Sequence, residues 1–231
     1  ADKNGTFLLA GAPSVFTVQG AANTAAVAVA VGGSGGLTKA GAGVLNLTVT
    51  NTYAGVTTVS AGILRLADAV VLGLGATGTG NDTVVESGAA LDFNGCYVNA
   101  TSAEKFTISG VGPDSKGALV NTGRDMTNKN LQEVILSDDA TIGGPRRIDV
   151  GTLTGNANAL TKTGAHQLCL REVANVEIVL REGMLTLLDN ANALGGSTWG
   201  DTFVYGGTLN CWNTRTYTER VTFYGGNVAQ G

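Results

Sequence analysis

Leu37-Thr38-Lys39-Ala40-Gly41-Ala42-Gly43-Val44-Leu45-Asn46-Leu47 has a near-copy in Leu160-Thr161-Lys162-Thr163-Gly164-Ala165-His166-Gln167-Leu168-Cys169-Leu170. In both, the first shared glycine stands four residues before the first of two alternating leucines. The copies are offset by 123 positions (160 minus 37), too far apart for a hairpin, so they mark an internal repeat.

The correspondence runs on. Gly62-Ile63-Leu64-Arg65-Leu66 matches Gly183-Met184-Leu185-Thr186-Leu187 at offset 121, and Leu72-Gly73 matches Leu194-Gly195 at offset 122. Asp82-Thr83-Val84-Val85 with Leu91-Asp92-Phe93 matches Asp201-Thr202-Phe203-Val204 with Leu209-Asn210-Cys211 at about offset 118. Glu104-Lys105-Phe106-Thr107-Ile108-Ser109-Gly110 matches Glu219-Arg220-Val221-Thr222-Phe223-Tyr224-Gly225 at offset 115. Order is kept while small insertions accumulate, as in stacked units with loops on their corners. The long repeat covers about 37–123 and 160–231.

Period-two alternation recurs along the chain: Leu45-Leu47-Val49, Leu64-Leu66, Leu91-Phe93, Phe106-Ile108, Leu168-Leu170, Leu185-Leu187, Leu209-Cys211. Most of these runs are bounded by Gly, Asn, Asp or Ser, which reads as an all-β protein. The one helix candidate, 128–136, is pulled toward strand by Val134-Ile135. Gly is very high at 35 of 231 residues and Pro low at 3, with no Gly-X-Y period, which argues against collagen and against disorder. Aromatics are only 6% and charges 14%, and the apolar share is mostly small residues that suit flat, closely stacked sheets.

A sandwich needs hairpin turns between neighbouring strands, whereas most corners here are Gly-Gly, Ser-Gly or Ala-Gly. A parallel β-helix accounts for both the corners and the drifting repeat, with glycine permitting positive φ where the chain bends. The expectation is one elongated β-solenoid domain over residues 1–231, of roughly ten coils at about 20–25 residues each. Leu45, Leu47, Leu64, Leu66, Leu91, Phe93, Leu168, Leu170, Leu185, Leu187 and Leu209 are expected inside. The early stop of the second long repeat leads to the further expectation that this is a segment of a longer chain.

The first copy, from Gly35-Gly36-Leu37-Thr38-Lys39 through Asn51-Thr52-Tyr53-Ala54-Gly55-Val56-Thr57-Thr58-Val59 to Ala61-Gly62 and Leu64, resembles the autotransporter-associated β-strand repeat. That family's pattern is a Leu-Thr-Lys-x-Gly-x-Gly strand, an Asn-Thr-Tyr-x-Gly corner and a Thr-Thr-Val strand ending in x-Gly-x-Leu. The second copy departs from it: His166 replaces the second glycine, and 173–177 lacks the Asn-Thr-Tyr corner. The resemblance implies a right-handed parallel β-helix in a large secreted or surface bacterial protein, acting as stalk, scaffold or adhesin.

The charge balance is −4, with no basic run, so the footprint of a nucleic-acid binder is missing. No apolar run reaches the length of a membrane-spanning helix. Cys96, Cys169 and Cys211 read as small buried side chains, with one disulfide plus a free thiol as the alternative.

His166 is the only histidine, so a triad or a His-based metal site would have to use it; it reads instead as a solvated strand or corner residue. Asp138-Asp139, with Arg146-Arg147 nearby, is the nearest approach to the carboxylate constellation of polysaccharide-cleaving β-helices. It reads otherwise as a turn held by local hydrogen bonds. Trp199, Tyr205, Trp212, Tyr217, Phe223 and Tyr224 crowd the last third; they form either a contact surface or corner packing.

No catalytic, metal-binding or cofactor-binding residue is therefore assigned. The leading expectation is a non-catalytic extracellular structural or adhesive segment. Its possible partners are a surface polysaccharide, a protein, or copies of itself joined end to end. The alternatives are a self-assembling fibre subunit and a polysaccharide lyase or hydrolase.

Overall fold

A computed structural model describes residues 5–67, 82–98, 104–127, 131–188, 200–212 and 219–230. Among them every strand pairing is parallel. One column of directly paired residues shows how the coils stack. It runs Ala25, Leu45, Leu64, Leu91, Leu119, Ile142, Lys162, Leu180, Val204, Phe223. Ten rungs make about nine turns of a β-solenoid, and at ~4.8 Å per rung the column is about 43 Å tall. Coils range from 18 residues (162 to 180) to 28 (91 to 119), so the loops on the corners absorb the drift seen between the two long repeats.

The side-chain alternation is that of strands with one face on a core. Gly62–Leu66 reads buried, intermediate, buried, intermediate, buried. All eleven residues expected inside are buried, none more than 3% exposed. Removing each such leucine from water is worth about 1.5–3 kcal/mol. The only helical element among the described residues is a short 3-10 turn, Pro113–Ser115. The helix candidate is strand from Leu131 onward, since Leu131–Gly143 pairs with both neighbouring coils; 128–130 lie outside the described residues. Among the described residues no helix is long and apolar enough to cross a membrane.

The two motif copies do not lie above one another. The Leu37 column passes through Thr57, Thr83, Phe106, Val134, Leu153 and Val173. Leu45, six positions after Lys39, lies in the column that reaches Lys162. The second Leu-Thr-Lys strand therefore occupies the face held by the leucines of the first copy. From 131 on through the second copy the chain runs in three long strands, Leu131–Gly143, Ile148–Lys162 and Gln167–Leu180, each covering two faces. Their bends are register shifts between Ile135 and Ala140 and between Thr154 and Asn158.

At these bends Asn156, Ala157 and Asn175 take positive φ. They do the work that the Asn51-Thr52-Tyr53 corner does in the first copy. There the Asn51 side chain accepts a hydrogen bond from Val31 N one coil below (3.0 Å), and the fully buried Tyr53 hydroxyl meets Thr57 Oγ1 at 2.6 Å. The missing Asn-Thr-Tyr thus changes the corner and keeps the fold.

Candidate functional site

Both motif lysines point inward and are fully buried. Leu and Lys two residues apart share a strand face, so a Leu-Thr-Lys strand that buries its leucine buries its lysine too. Lys39 Nζ donates to Ala40 O (2.9 Å), Gly41 O (2.7 Å) and Ala61 O (2.8 Å). Lys162 Nζ repeats the arrangement on Thr163 O (2.9 Å), Gly164 O (2.7 Å) and Glu182 O (2.9 Å). Three donors meet three acceptors, two from the lysine's own corner and one from the next coil. Burial lowers the pKa of both ammonium groups, that of Lys162 to about 8, with Glu182 opposing the fall. At neutral pH Lys162 still carries all three protons that the geometry uses.

Glycine lets the corners close. Gly183 has φ +73°, and a Cβ there would overlap Gly164 O and lie 2.5 Å from His166 O and 2.8 Å from Lys162 Nζ. Gly62 holds the same place above Gly41 and Gly43, with φ +67°.

A groove with a cavity volume of about 530 Å³ runs along the outside of the solenoid. Its floor follows the column Arg65, Asp92, Val120, Gly143, next to the leucine column, and continues to Thr163 and Glu182. One wall is the 111–117 loop, which the second long repeat lacks. The loop is tied at its base, where Gly117 N donates to Val111 O (2.8 Å). Lys116 O packs so closely on Gly143 that a Cβ there would overlap it. Asp114 and Ser115 hold φ of +53° and +57°, a conformation costing non-glycine residues about 1–2 kcal/mol each.

Asp92, 1% exposed, anchors the floor. Its carboxylate accepts from Arg65 Nε (2.7 Å), Thr122 Oγ1 (2.7 Å), Asn94 N (2.9 Å) and Thr122 N (3.1 Å).

Two acids, Glu104 buried and Glu219 half-buried, recur at matching places of the long repeat. Glu104 Oε1 accepts from Thr83 Oγ1 (2.5 Å) and Glu219 Oε1 from Thr202 Oγ1 (2.7 Å), while each Oε2 is buried without a partner. Burial raises Glu104 to about 8, with Asp82 adding to it and the Thr83 bond opposing. Burial raises Glu219 to about 7 in the same way, with Asp201 and Thr202 in those roles.

The residues singled out by sequence fall as follows. His166 is 3% exposed, a correction to the solvated reading. It stands where the first copy has Gly43, which is packed against Val18 and Asn23 of the coil below. The coil below His166 instead carries 143–145, whose glycines leave room for a ring. Neither ring nitrogen makes a well-formed hydrogen bond, although the Gly144 backbone is close enough to act on the ring. Burial first, and the Lys162 charge second, push its pKa down to about 3; the Gly144 backbone opposes weakly.

Asp138 and Asp139 stand exposed on the bulge between two faces. Asp138 Oδ1 accepts from Asp139 N, and Asp139 Oδ1 from Ala159 N, both at 2.8 Å. Arg147 is held instead by Asp149 (Nε to Oδ1, 2.6 Å; terminal nitrogen to Oδ2, 3.0 Å), so the constellation of acids and base is not brought together. No disulfide joins the three cysteines; Cys96 and Cys169 are buried and Cys211 half-buried. Burial pushes the Cys169 thiol up to about 12. Among the described residues no cluster of His, Cys, Asp and Glu could hold a metal ion.

Tyr205 and Tyr224 stack at 4.7 Å between centroids and 9° between planes, with the Arg181 guanidinium 5.2 Å from the Tyr205 ring. This is rung-on-rung packing with exposed edges. Trp212 and Phe223 are partly exposed, and Trp199 and Tyr217 lie outside the described residues. Sequence reading missed the buried lysines, the threonine-bound glutamates and the groove. The recurrence of Lys39 as Lys162 and of Glu104 as Glu219 was the available signal for the first two.

Comparisons with known proteins agree with this architecture. Residues 37–66 match the model of the passenger-associated-transport-repeat. Over 204 residues, 87% of this chain, the sequence is 31% identical to "Adhesin BmaC autotransporter" of Brucella suis biovar 1 (strain 1330). The chain spans only 6% of that protein's length. No solved structure matches significantly.

Proposed function

The chain is an autotransporter-type passenger β-helix repeat protein, and on that premise we propose that it serves as a non-catalytic segment of a bacterial surface protein, acting as a stiff stalk that carries an adhesive face. The observation that carries this reading is the likeness to an adhesin over 87% of the chain, within a parallel solenoid. The chemistry supports it. The recurring lysines and glutamates are engaged in holding coil to coil: the lysines hold carbonyls and the glutamates meet threonines of the neighbouring coil. The exposed acids Asp138 and Asp139 are bound to backbone amides. A column of ten paired rungs resists bending because every coil is bonded to the next along its strands.

The test is surface display. The segment is carried on a non-adherent laboratory bacterium by a heterologous translocator, and retained cells are counted on epithelial monolayers and on bare polystyrene. Several-fold more retention than for an unrelated displayed solenoid is expected on at least one of the two surfaces. Retention no higher than that control on both would overturn the reading.

A further inference from the structure

We propose that the groove walled by the 111–117 loop is a binding site for an extended peptide of about seven residues, acidic at the Arg65 end and basic at the Glu182 end. The site is preformed. Its floor is a sheet, and its wall is fixed at the base by the Gly117–Val111 hydrogen bond and by the seat of Lys116 on Gly143. Strained backbone at Asp114 and Ser115 is held there by those contacts. An insertion on one coil, absent from the other copy of the repeat, is where solenoids place recognition.

The dimensions select a thin linear ligand. From the Leu64 rung to the Leu180 rung is five steps, 64 to 91 to 119 to 142 to 162 to 180. At ~4.8 Å a step this is about 24 Å, which an extended peptide spans with about seven residues at ~3.3 Å each. About 530 Å³ spread over that length admits one chain rather than a compact ligand.

The lining selects a peptide over a saccharide. Ile63, Ala90, Pro113, Val120, Pro145 and Ala165 give an apolar floor and walls, and no aromatic ring lines the groove. Asp92 already accepts four hydrogen bonds. Asp114, Ser115, Lys116, Thr122 and Thr163 also line the groove, but apolar surface predominates between them, so a saccharide would bury most of its hydroxyls against carbon. Small apolar side chains at alternate positions of a peptide would gain from the same surface, with its other face left in water. The ends differ in sign. Arg65 is ion-paired through Nε with buried Asp92 (2.7 Å) and keeps 36% of its side chain exposed. Glu182, exposed, spends one oxygen on Gly164 N (2.9 Å).

This rests on the adhesive reading but fails separately from it: adhesion of displayed cells that is untouched by blocking the groove would sink the groove alone. The direct test pans a random heptapeptide phage library on the wild-type chain and on Ala165→Trp. Ala165 is exposed and lines the groove, so the variant fills space without disturbing the core. Thr163→Trp is a second block, and circular dichroism checks the fold of both. Expected is at least tenfold enrichment on wild type over either variant, for peptides with small apolar residues at alternate positions. Glu182→Lys should switch the selected residue at its end from basic to acidic. Pools that do not distinguish wild type from the blocked variants would overturn the proposal. So would neutral or acidic pentasaccharides that bind in a manner lost on Ala165→Trp.

Discussion

Replacing Gly183 by alanine separates two reasons for a glycine corner. At φ +73° a Cβ costs about 1–2 kcal/mol wherever it stands. At Gly183 it would also overlap Gly164 O and crowd His166 O at 2.5 Å and Lys162 Nζ at 2.8 Å. Relief requires the two coils to part at this corner. That would stretch the bonds Met184 N to His166 O (3.1 Å) and Arg181 N to Lys162 O (2.9 Å), and disturb the lysine's three contacts. At about 1 kcal/mol for each of the two stretched backbone bonds and about 1 kcal/mol more for the disturbed lysine contacts, the total reaches roughly 4–5 kcal/mol.

Gly88 is the control. Its φ is +84°, yet nothing lies within 4 Å of where a Cβ would stand, so Gly88→Ala should cost only the conformational 1–2 kcal/mol. At about 2–4 °C per kcal/mol for a chain of this size, Gly88→Ala should lower the Tm by roughly 2–8 °C and Gly183→Ala by about 10 °C or more. Thermal melts followed by circular dichroism, with urea unfolding alongside, measure both. Equal losses would refute the idea that coil-on-coil approach, rather than φ alone, demands glycine at 183.

Other consequences follow from the buried charges. Lys162→Met should destabilise by roughly 2 kcal/mol, because three carbonyls lose charge-assisted donors while only one desolvated ammonium is relieved; urea unfolding that matches wild type would show that the three contacts contribute nothing net. Glu104 has a folded pKa of about 8 against 4.5 when unfolded, so the folded state binds the extra proton and its contribution is full below pH 4.5 and lost as pH rises through 8. Glu104→Gln should therefore flatten the fall in stability between those values, by a few kcal/mol, and an unchanged slope would contradict the assignment. His166, at about 3 when folded against 6.5, acts in the opposite sense: stability is lost as pH falls from 6.5 toward 3. His166→Leu should remove that loss and add about 1 kcal/mol at pH 7 by deleting two buried nitrogens that lack a well-formed hydrogen bond; a destabilised variant with the same acid profile would count against it.

The solenoid was legible because strand alternation and corner glycines are local properties, written into Leu45-Asn46-Leu47 and Gly62-Ile63-Leu64 residue by residue. The rotation of the second motif copy by one face was not legible. It depends on how many faces each of the three long central strands covers, and Asn156 and Asn175 in strand bends look like ordinary turn residues. The burial of Lys39 went unread because charge ordinarily means exposure, although the position two residues after an inward leucine is inward as well. His166 misled for the reverse reason. The glycine it replaces is crowded in the first copy, but the space above 143–145 depends on a coil twenty residues away. The groove needs a loop on one coil to overhang the sheet of others, which no single stretch encodes.

The most direct test of the stacked parallel architecture is one distance. Thr38 and Ala174 lie in a single outward column, through Thr58, Val84, Thr107, Ile135 and Thr154. Six steps at ~4.8 Å put their backbones about 29 Å apart along the axis. Spin labels at these two positions, read by double electron–electron resonance, should give one narrow distribution centred near that value, broadened by the label arms. A centre below about 20 Å, or a broad spread with no dominant distance, would contradict the in-register solenoid on which the stalk and the groove both depend.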